Sequence, residues 1–197
     1  MGLAANCPVF TKLPKISDVA PNLTVRPLTA ADNAAAAAVI KTVMPEFGCV
    51  GPGYSIEDPE MDDLYGTYSK PRSNYFVVQD LGAAAGAGEV GKQPSPPPGK
   101  LVAVAGYAPL TGGDPNVCEL RKMYALPEAR GLGVGQALLQ QCLEGARKDG
   151  FKTMYLETVT AMRDAAAFYQ KNGFRYVEGP MGATGHSGCD LFMVLDL

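Results

Sequence analysis

Three glycines at alternate positions, Gly131, Gly133 and Gly135, separate a strand-like run, Val117 to Ala125, from a stretch with apolar residues at Val134, Leu138, Cys142 and Ala146. A spacing of four marks one face of a helix. The chain must therefore turn from strand to helix across a short, glycine-softened loop. Glycines let backbone approach a ligand closely, and the first-turn amides of a helix have no partners within it. With the positive end of the helix dipole behind them, such amides make a phosphate cradle that needs no basic surface. The run is G-x-G-x-G. It is not the G-x-G-x-x-G of dinucleotide folds, because Gln136 and Leu138 occupy the last glycine's place, and no G-x-x-x-x-G-K-[ST] loop occurs. Taken alone, three glycines could equally be a helix start packed on a neighbouring strand.

A local cradle matters because the chain offers no global field. The 197 residues carry a formal charge of −3, which excludes general attraction to nucleic acid or an anionic membrane. No apolar run approaches the roughly 20 residues that span a bilayer. The start, Met1 to Asn6, has neither the Ser or Thr of a myristoylation signal nor the regions of a secretory one. Cys7, Cys49, Cys118, Cys142 and Cys189 are scattered, with no C-x-x-C pair. They read as small apolar fillers in a reducing, cytoplasmic compartment, without a disulfide framework or structural zinc. His186 is the sole histidine, so a histidine-based zinc site or a Ser-His-Asp triad has little to draw on, and no metal is expected. The length suits one domain rather than two.

Residues 1–22 read as a Pro-punctuated lead-in and 23–197 as a single domain. Leu23 to Leu28 is a short strand, with Pro27 suggesting a sheet edge. Thr29, with Asp32 three residues on, opens a capping box for an Ala-rich helix reaching about Val43. A loop and short helix follow around Pro59–Tyr68. The acidic residues of 46–63 (Glu46, Glu57, Asp58, Glu60, Asp62, Asp63) read as a solvated surface in preference to the wall of a cationic-substrate site. Strands at Asn74–Gln79 and Lys100–Tyr107, the second buried on both faces, flank 82–99, a flexible Ala/Gly/Ser/Pro insert. Beyond Val117–Ala125 come a helix Gly133–Lys148, a strand Lys152–Val159, a helix Ala161–Lys171 closed by Gly173, and strands Phe174–Glu178 and Asp190–Leu197. The order predicts an α/β fold with one mixed sheet.

Two blocks carry a more specific signal. Arg130-Gly131-Leu132-Gly133-Val134-Gly135, preceded by Met123-Tyr124-Ala125-Leu126-Pro127-Glu128-Ala129, fits [R/Q]-x-x-G-x-[G/A]. Leu156-Glu157-Thr158 is followed by Ala165-Ala166-Ala167-Phe168-Tyr169-Gln170-Lys171-Asn172-Gly173-Phe174. Over about residues 116–178 this pattern resembles the GNAT superfamily of N-acetyltransferases. The resemblance implies a mostly antiparallel sheet of about six to seven strands flanked by helices, with a splayed parallel strand pair. It also implies acetyl-coenzyme A as co-substrate and transfer of its acetyl group to a primary amine by direct attack. The scattered cysteines agree with a route lacking a covalent enzyme intermediate. The alternative from a different class is a non-catalytic acyl-coenzyme A-binding regulatory module.

By the same resemblance, Met123, Tyr124 and Ala125 would pair through their backbone with pantetheine. The amides of Arg130, Gly131, Leu132, Gly133, Val134, Gly135 and Gln136 would hold the pyrophosphate. A β-bulge near Met123 would aim an amide at the thioester oxygen. Tyr169 matches the tyrosine that protonates the leaving thiolate beside the cofactor; its other reading is packing on the stripe Ala161, Ala165, Phe168 and Tyr169. Glu119 is the candidate base, with an ion pair to Arg121 as its structural alternative, and Glu157 could serve similarly. Met162 stands where many relatives carry an asparagine that touches the cofactor. His186, in the Gly-rich turn 182–188, reads as an exposed loop histidine whose loop borders the acceptor site. The acceptor is a small-molecule or protein amine, neither nucleic acid nor membrane is expected as a partner, and homodimer formation, frequent in the family, stays open.

Overall fold

The computed structural model describes residues 20–82 and 99–197. Most of the expected lead-in and insert, 1–19 and 83–98, lie outside the described residues. Seven strands form one sheet: β1 (Leu23–Pro27), β2 (Asn74–Asp80), β3 (Lys100–Pro109), β4 (Val117–Ala125), β5 (Thr153–Thr158), β6 (Arg175–Val177) and β7 (Leu191–Asp196). Their spatial order is β1-β2-β3-β4-β5-β7-β6. Every neighbouring pair is antiparallel except β4 with β5. The helices are α1 (Asn33–Val43), α2 (Leu64–Tyr68), α3 (Val134–Lys148) and α4 (Arg163–Lys171).

The layers follow from the apolar patterning. β3, apolar at nearly every position from Leu101 to Ala108, is buried on both faces as its sequence predicts. On one face Ile40 of α1 and Leu64 of α2 pack with Val77 and Val104. On the other, α3 lays its expected stripe against Phe76, Val78 and Val102. Val134, Leu138, Cys142 and Ala146 are all at most 2% exposed, so burial of one stripe, more than helix propensity, fixes α3. Among the described residues no helix is long and apolar enough to cross a membrane.

β1 is an edge strand, consistent with Pro27. The capping box also forms: the Thr29 N–H donates to Asp32 Oδ2 at 2.8 Å. Arg26 donates to both Asp32 oxygens at 2.7 and 2.8 Å. These bonds, Arg26's first and against burial, hold the Asp32 carboxyl down at about 2. The helix begins later than expected, because the first turn, Ala30–Asp32, is a tighter 3-10 turn.

One irregularity positions the site. β4 pairs with β5 only from Val117 to Glu119, after which β5 follows β7 out to Thr158. The register of β4 on β3 shifts between Arg121 and Tyr124, and Lys122 takes a left-handed backbone with φ 47°. An extra residue of this kind bends a strand and strengthens its twist. From Leu120 onward the β5-facing edge of β4 has no strand partner among the described residues, and a cleft opens between the two.

Candidate active site

At the far end of β4 the chain passes through Pro127–Ala129 into the glycine turn. Gly131 and Gly133 are left-handed, with φ 77° and 79°, a conformation that costs a residue with Cβ. Among the described residues, the N–H groups of Gly131 through Gln136 make no hydrogen bond to the protein, and Ala137 is the first to do so, to Gly133 O at 3.1 Å. A run of unpaired amides at the start of a 15-residue helix fits a diphosphate in both charge and geometry. The nest starts one residue later than the sequence suggests, since the Arg130 N–H donates to Pro127 O at 3.2 Å. The Arg130 side chain braces the turn, donating to Ala125 O at 3.0 Å and pairing with Glu46 at 2.9 Å. At Gly135 a Cβ would stand 3.5 Å from Met123 Cε and 3.7 Å from the Phe168 ring, so helix, bulged strand and α4 meet there.

Tyr169 is buried between Phe168 and Phe174, with ring centroids 5.5 and 5.6 Å away. Burial, with Tyr124 and Cys142 nearby, pushes its phenol well above the usual value. Among the described residues its hydroxyl has no protein partner. The expected packing role is therefore real, and the ring is not part of the lining of the cavity in the cleft.

That cavity, of about 60 Å³, lies where β4 and β5 diverge. Its apolar side includes Met44, Tyr54, Tyr124, Val159 and Met162, so the methionine replacing the family's asparagine faces this space. Its other side is ionic. Glu119 is 2% exposed and accepts a hydrogen bond from Arg121 Nε at 2.7 Å, as the ion-pair reading anticipated. Burial pushes its carboxyl up, and Arg121 opposes that only in part. Glu157, two residues past the end of β4–β5 pairing, accepts from Tyr155 Oη at 2.7 Å and Thr184 Oγ1 at 2.9 Å, both on Oε1. Its Oε2 is buried and, among the described residues, has no hydrogen-bond partner. Burial raises this carboxyl, but His186 and the two hydroxyls outweigh it and leave it below its usual value.

Two expectations are corrected here. His186 is not an exposed loop residue: its side chain is 13% exposed, with Nε2 3.1 Å from Asp58 Oδ2 and Nδ1 3.5 Å from Glu157 Oε2 and 3.9 Å from Glu119 Oε1. Contact with Asp58, then with Glu157, raises its pKa to about 9 against the effect of burial, so it is an imidazolium at neutral pH. The acidic stretch is not uniformly a solvated surface either. Two 3-10 turns, Ser55–Glu57 and Pro59–Asp62, turn Asp58 and Glu60 inward, where both pair with the Lys122 ammonium. Glu57, Asp62 and Asp63 remain exposed. The loops that bring His186 and Asp58 together dock through glycine: the Gly188 N–H donates to Gly53 O at 3.0 Å, and a Cβ at Gly188 would stand 2.5 Å from the Tyr54 ring. Lys122 carried no sequence signal, and Asp58 only its place among the acidic residues 46–63, whose second reading was the wall of a cationic-substrate site; for His186 the signal was its place in a glycine-rich loop before the last strand.

Cys49, Cys118 and Cys142 are buried and Cys189 is half-buried, and among the described residues none is paired. Burial lifts the Cys118 and Cys189 thiols to about 12, far from a nucleophilic thiolate at neutral pH.

Splayed parallel strands with an amide nest at one end and an ionic pocket at the other describe an acetyltransferase. The chain belongs to the acetyltransferase (GNAT) family, whose model matches residues 36–174. It is 39% identical over 184 residues to YjgM, an uncharacterized N-acetyltransferase of Escherichia coli strain K12, a match covering 92% of this chain and 100% of that one. Its fold is similar to that of a GNAT-family acetyltransferase of Staphylococcus aureus Mu50, with TM-score 0.70 and 17% identity, covering 88% of this chain and 98% of that chain. The yncA acetyltransferase of Salmonella typhimurium, solved with its cofactor acetyl-CoA, superposes with TM-score 0.66 and 17% identity, covering 89% of this chain and 94% of that one.

Proposed function

We propose that the chain transfers an acetyl group from acetyl-coenzyme A to a primary amine by direct attack on the thioester. The observation that carries this reading is the adjacency of two parts: unpaired amides at Gly131–Gln136, and a carboxylate-lined cavity in the cleft that the Lys122 bulge opens. Acetyl-coenzyme A supplies an acyl group activated as a thioester. The first-turn amides of α3 take its diphosphate, and the unpaired edge of Met123, Tyr124 and Ala125 offers backbone partners to its pantetheine arm. The bulge removes Lys122 and Met123 from the β3 ladder, which frees an amide to stabilise a tetrahedral oxyanion.

An amine arrives as its ammonium and must lose a proton before it can attack. Glu119, with a carboxyl raised by burial, is the base, since a raised pKa improves proton acceptance near neutrality. The C–N bond then forms and the C–S bond breaks. The departing thiolate takes a proton from Tyr169, and the nitrogen releases its second proton to solvent. Tyr169's hydroxyl, without a protein partner among the described residues, is available for that donation.

The test is acetylation of an amine panel, followed by thiol release and by mass spectrometry of the amide. Transfer above background with at least one amine is expected. Acetyl-coenzyme A binding without transfer to any amine would leave only a binding module; no binding would overturn the reading outright.

A further inference from the structure

Three polar atoms in the ionic side of the cavity face one another. His186 Nδ1 lies 3.9 Å from Glu119 Oε1 and 3.5 Å from Glu157 Oε2, and one donor atom of each residue lies within 4.8 Å of the other two. Each residue's second polar atom is already engaged: Glu119 Oε2 by Arg121, Glu157 Oε1 by Tyr155 and Thr184, and His186 Nε2 by Asp58. All three side chains are therefore held from behind, with one atom each turned to a common point. Glu157 Oε2 is the telling member. Its side chain is 3% exposed, and among the described residues that oxygen has no hydrogen-bond partner, only the His186 ring at 3.5 Å.

Resting on the acetyltransferase reading above, we propose that Glu119 Oε1, Glu157 Oε2 and His186 Nδ1 form the seat of a primary ammonium, so that the acceptor is a small, singly charged primary amine with an apolar body. A primary ammonium has three N–H donors on one nitrogen, and the seat presents three acceptors once His186 Nδ1 is unprotonated. Charge-assisted N–H bonds of about 2.8 Å, spread tetrahedrally, place their acceptors about 4.6 Å apart. A tetrahedral zinc with bonds of about 2.1 Å draws its ligand atoms to about 3.4 Å; the His186 contacts of 3.5 and 3.9 Å lie between the two spacings, so metal content is read in the test below.

Charge counting agrees with an exchange. Four carboxylates, Asp58, Glu60, Glu119 and Glu157, face two cations held elsewhere, Arg121 and Lys122, and a third positive charge that is either the His186 proton or the ammonium. The apolar wall of Tyr54, Tyr124, Val159 and Met162 takes an uncharged body and disfavours a second ammonium. In the free protein the seat is closed by the His186 proton, favoured by Asp58 from the 54–62 segment, Glu119 from β4 and Glu157 from β5. An arriving ammonium takes that proton's place, so the seat holds one cation at a time.

The test uses the full chain saturated with coenzyme A, titrated with butylamine at pH 7.5 in buffers of different ionisation enthalpy. Native protein is expected to release about one proton per amine bound. His186→Gln, which has no proton to give up, is expected to bind butylamine with no release. Glu157→Gln keeps Oε1 for Tyr155 and Thr184; it should bind butylamine about 10- to 100-fold more weakly, the worth of a hydrogen bond to a charged group, with unchanged coenzyme A affinity. N-Methylbutylamine and 1,4-diaminobutane should each bind at least about 10-fold more weakly than butylamine. Equal binding by Glu157→Gln, or proton release that persists in His186→Gln, overturns the seat even if acetyl transfer to some amine proceeds. Stoichiometric zinc in the purified protein, lost in Glu157→Gln, overturns it in favour of a metal site. Absence of acetyl transfer to every amine, by contrast, is failure of the activity itself, and the butylamine titration reads the seat independently of it.

Discussion

The two ends of the β4–β5 cleft present charge by opposite means. At the glycine turn the polar groups are backbone amides from one continuous segment, Gly131–Gln136, and their dipoles neither titrate nor depend on which side chains surround them. At the other end they are side chains from four separate places, Asp58, Glu119, Glu157 and His186, each held by a neighbour and each able to gain or lose a proton. A donor end built this way should tolerate changes of pH and side chain but not of backbone conformation. The acceptor end should behave in the reverse manner.

The sharpest break of this contrast is Glu119→Gln. It is expected to lower kcat/KM about 10²- to 10⁴-fold, the span of general-base catalysis, with acetyl-coenzyme A affinity unchanged by titration calorimetry. A loss confined to a few-fold would assign proton removal to water instead. Tyr169→Phe comes next, with kcat reduced about 10²-fold and a melting temperature close to native, because its hydroxyl has no protein partner to lose. Unchanged turnover would leave Tyr169 as packing between Phe168 and Phe174 alone. At the donor end, Gly133→Val forces a β-branched residue into φ 79°. Strain of about 1–3 kcal/mol should weaken acetyl-coenzyme A about 10-fold or more, and kcat at saturation should hold.

The smallest effect sharpens the comparison from the pH side. His186 has a folded pKa of about 9 against an ordinary 6.5. Its imidazolium therefore contributes stability that is whole below pH 6.5 and fades as pH rises through 9. Thermal melts should fall across that window by about 2–4 °C for each kcal/mol lost in a chain of this size, and Asp58→Asn should flatten the fall. A native curve as flat as the variant's would mean that the His186–Asp58 contact adds no stability.

The same contrast explains what could be read in advance. Strand, glycine turn and helix from Val117 to Lys148 lie within a few dozen residues, and the fourfold spacing of Val134, Leu138, Cys142 and Ala146 states which face is buried. β3 announced its two-sided burial by lacking polar alternation, and Thr29 with Asp32 announced a cap. The acceptor end had no such local statement. Nothing in the composition of residues 46–63 separates Asp58 and Glu60, which turn inward, from Glu57 and Asp62, which face water; backbone turns on either side of Asp58 make that choice. His186 becomes ionic only because Gly53 and Gly188 let two loops approach, a contact between residues more than a hundred positions apart. Glu119 could be named as a candidate base through the family resemblance, and its pairing with Arg121 through their two-residue spacing, but its proximity to Glu157 depends on how far β4 and β5 stay together before diverging.

The left-handed backbone at Lys122 joins these two ends. By kinking β4 it frees the strand edge proposed to meet the thioester, and it also swings its own ammonium down onto Asp58 and Glu60, the carboxylates that anchor the 54–62 segment. Glycine there would keep the kink and discard the anchor. A chain so altered should still welcome the acyl donor while its acceptor-side wall comes adrift, which makes a single position the hinge-pin between grasping one substrate and shaping the room for the other.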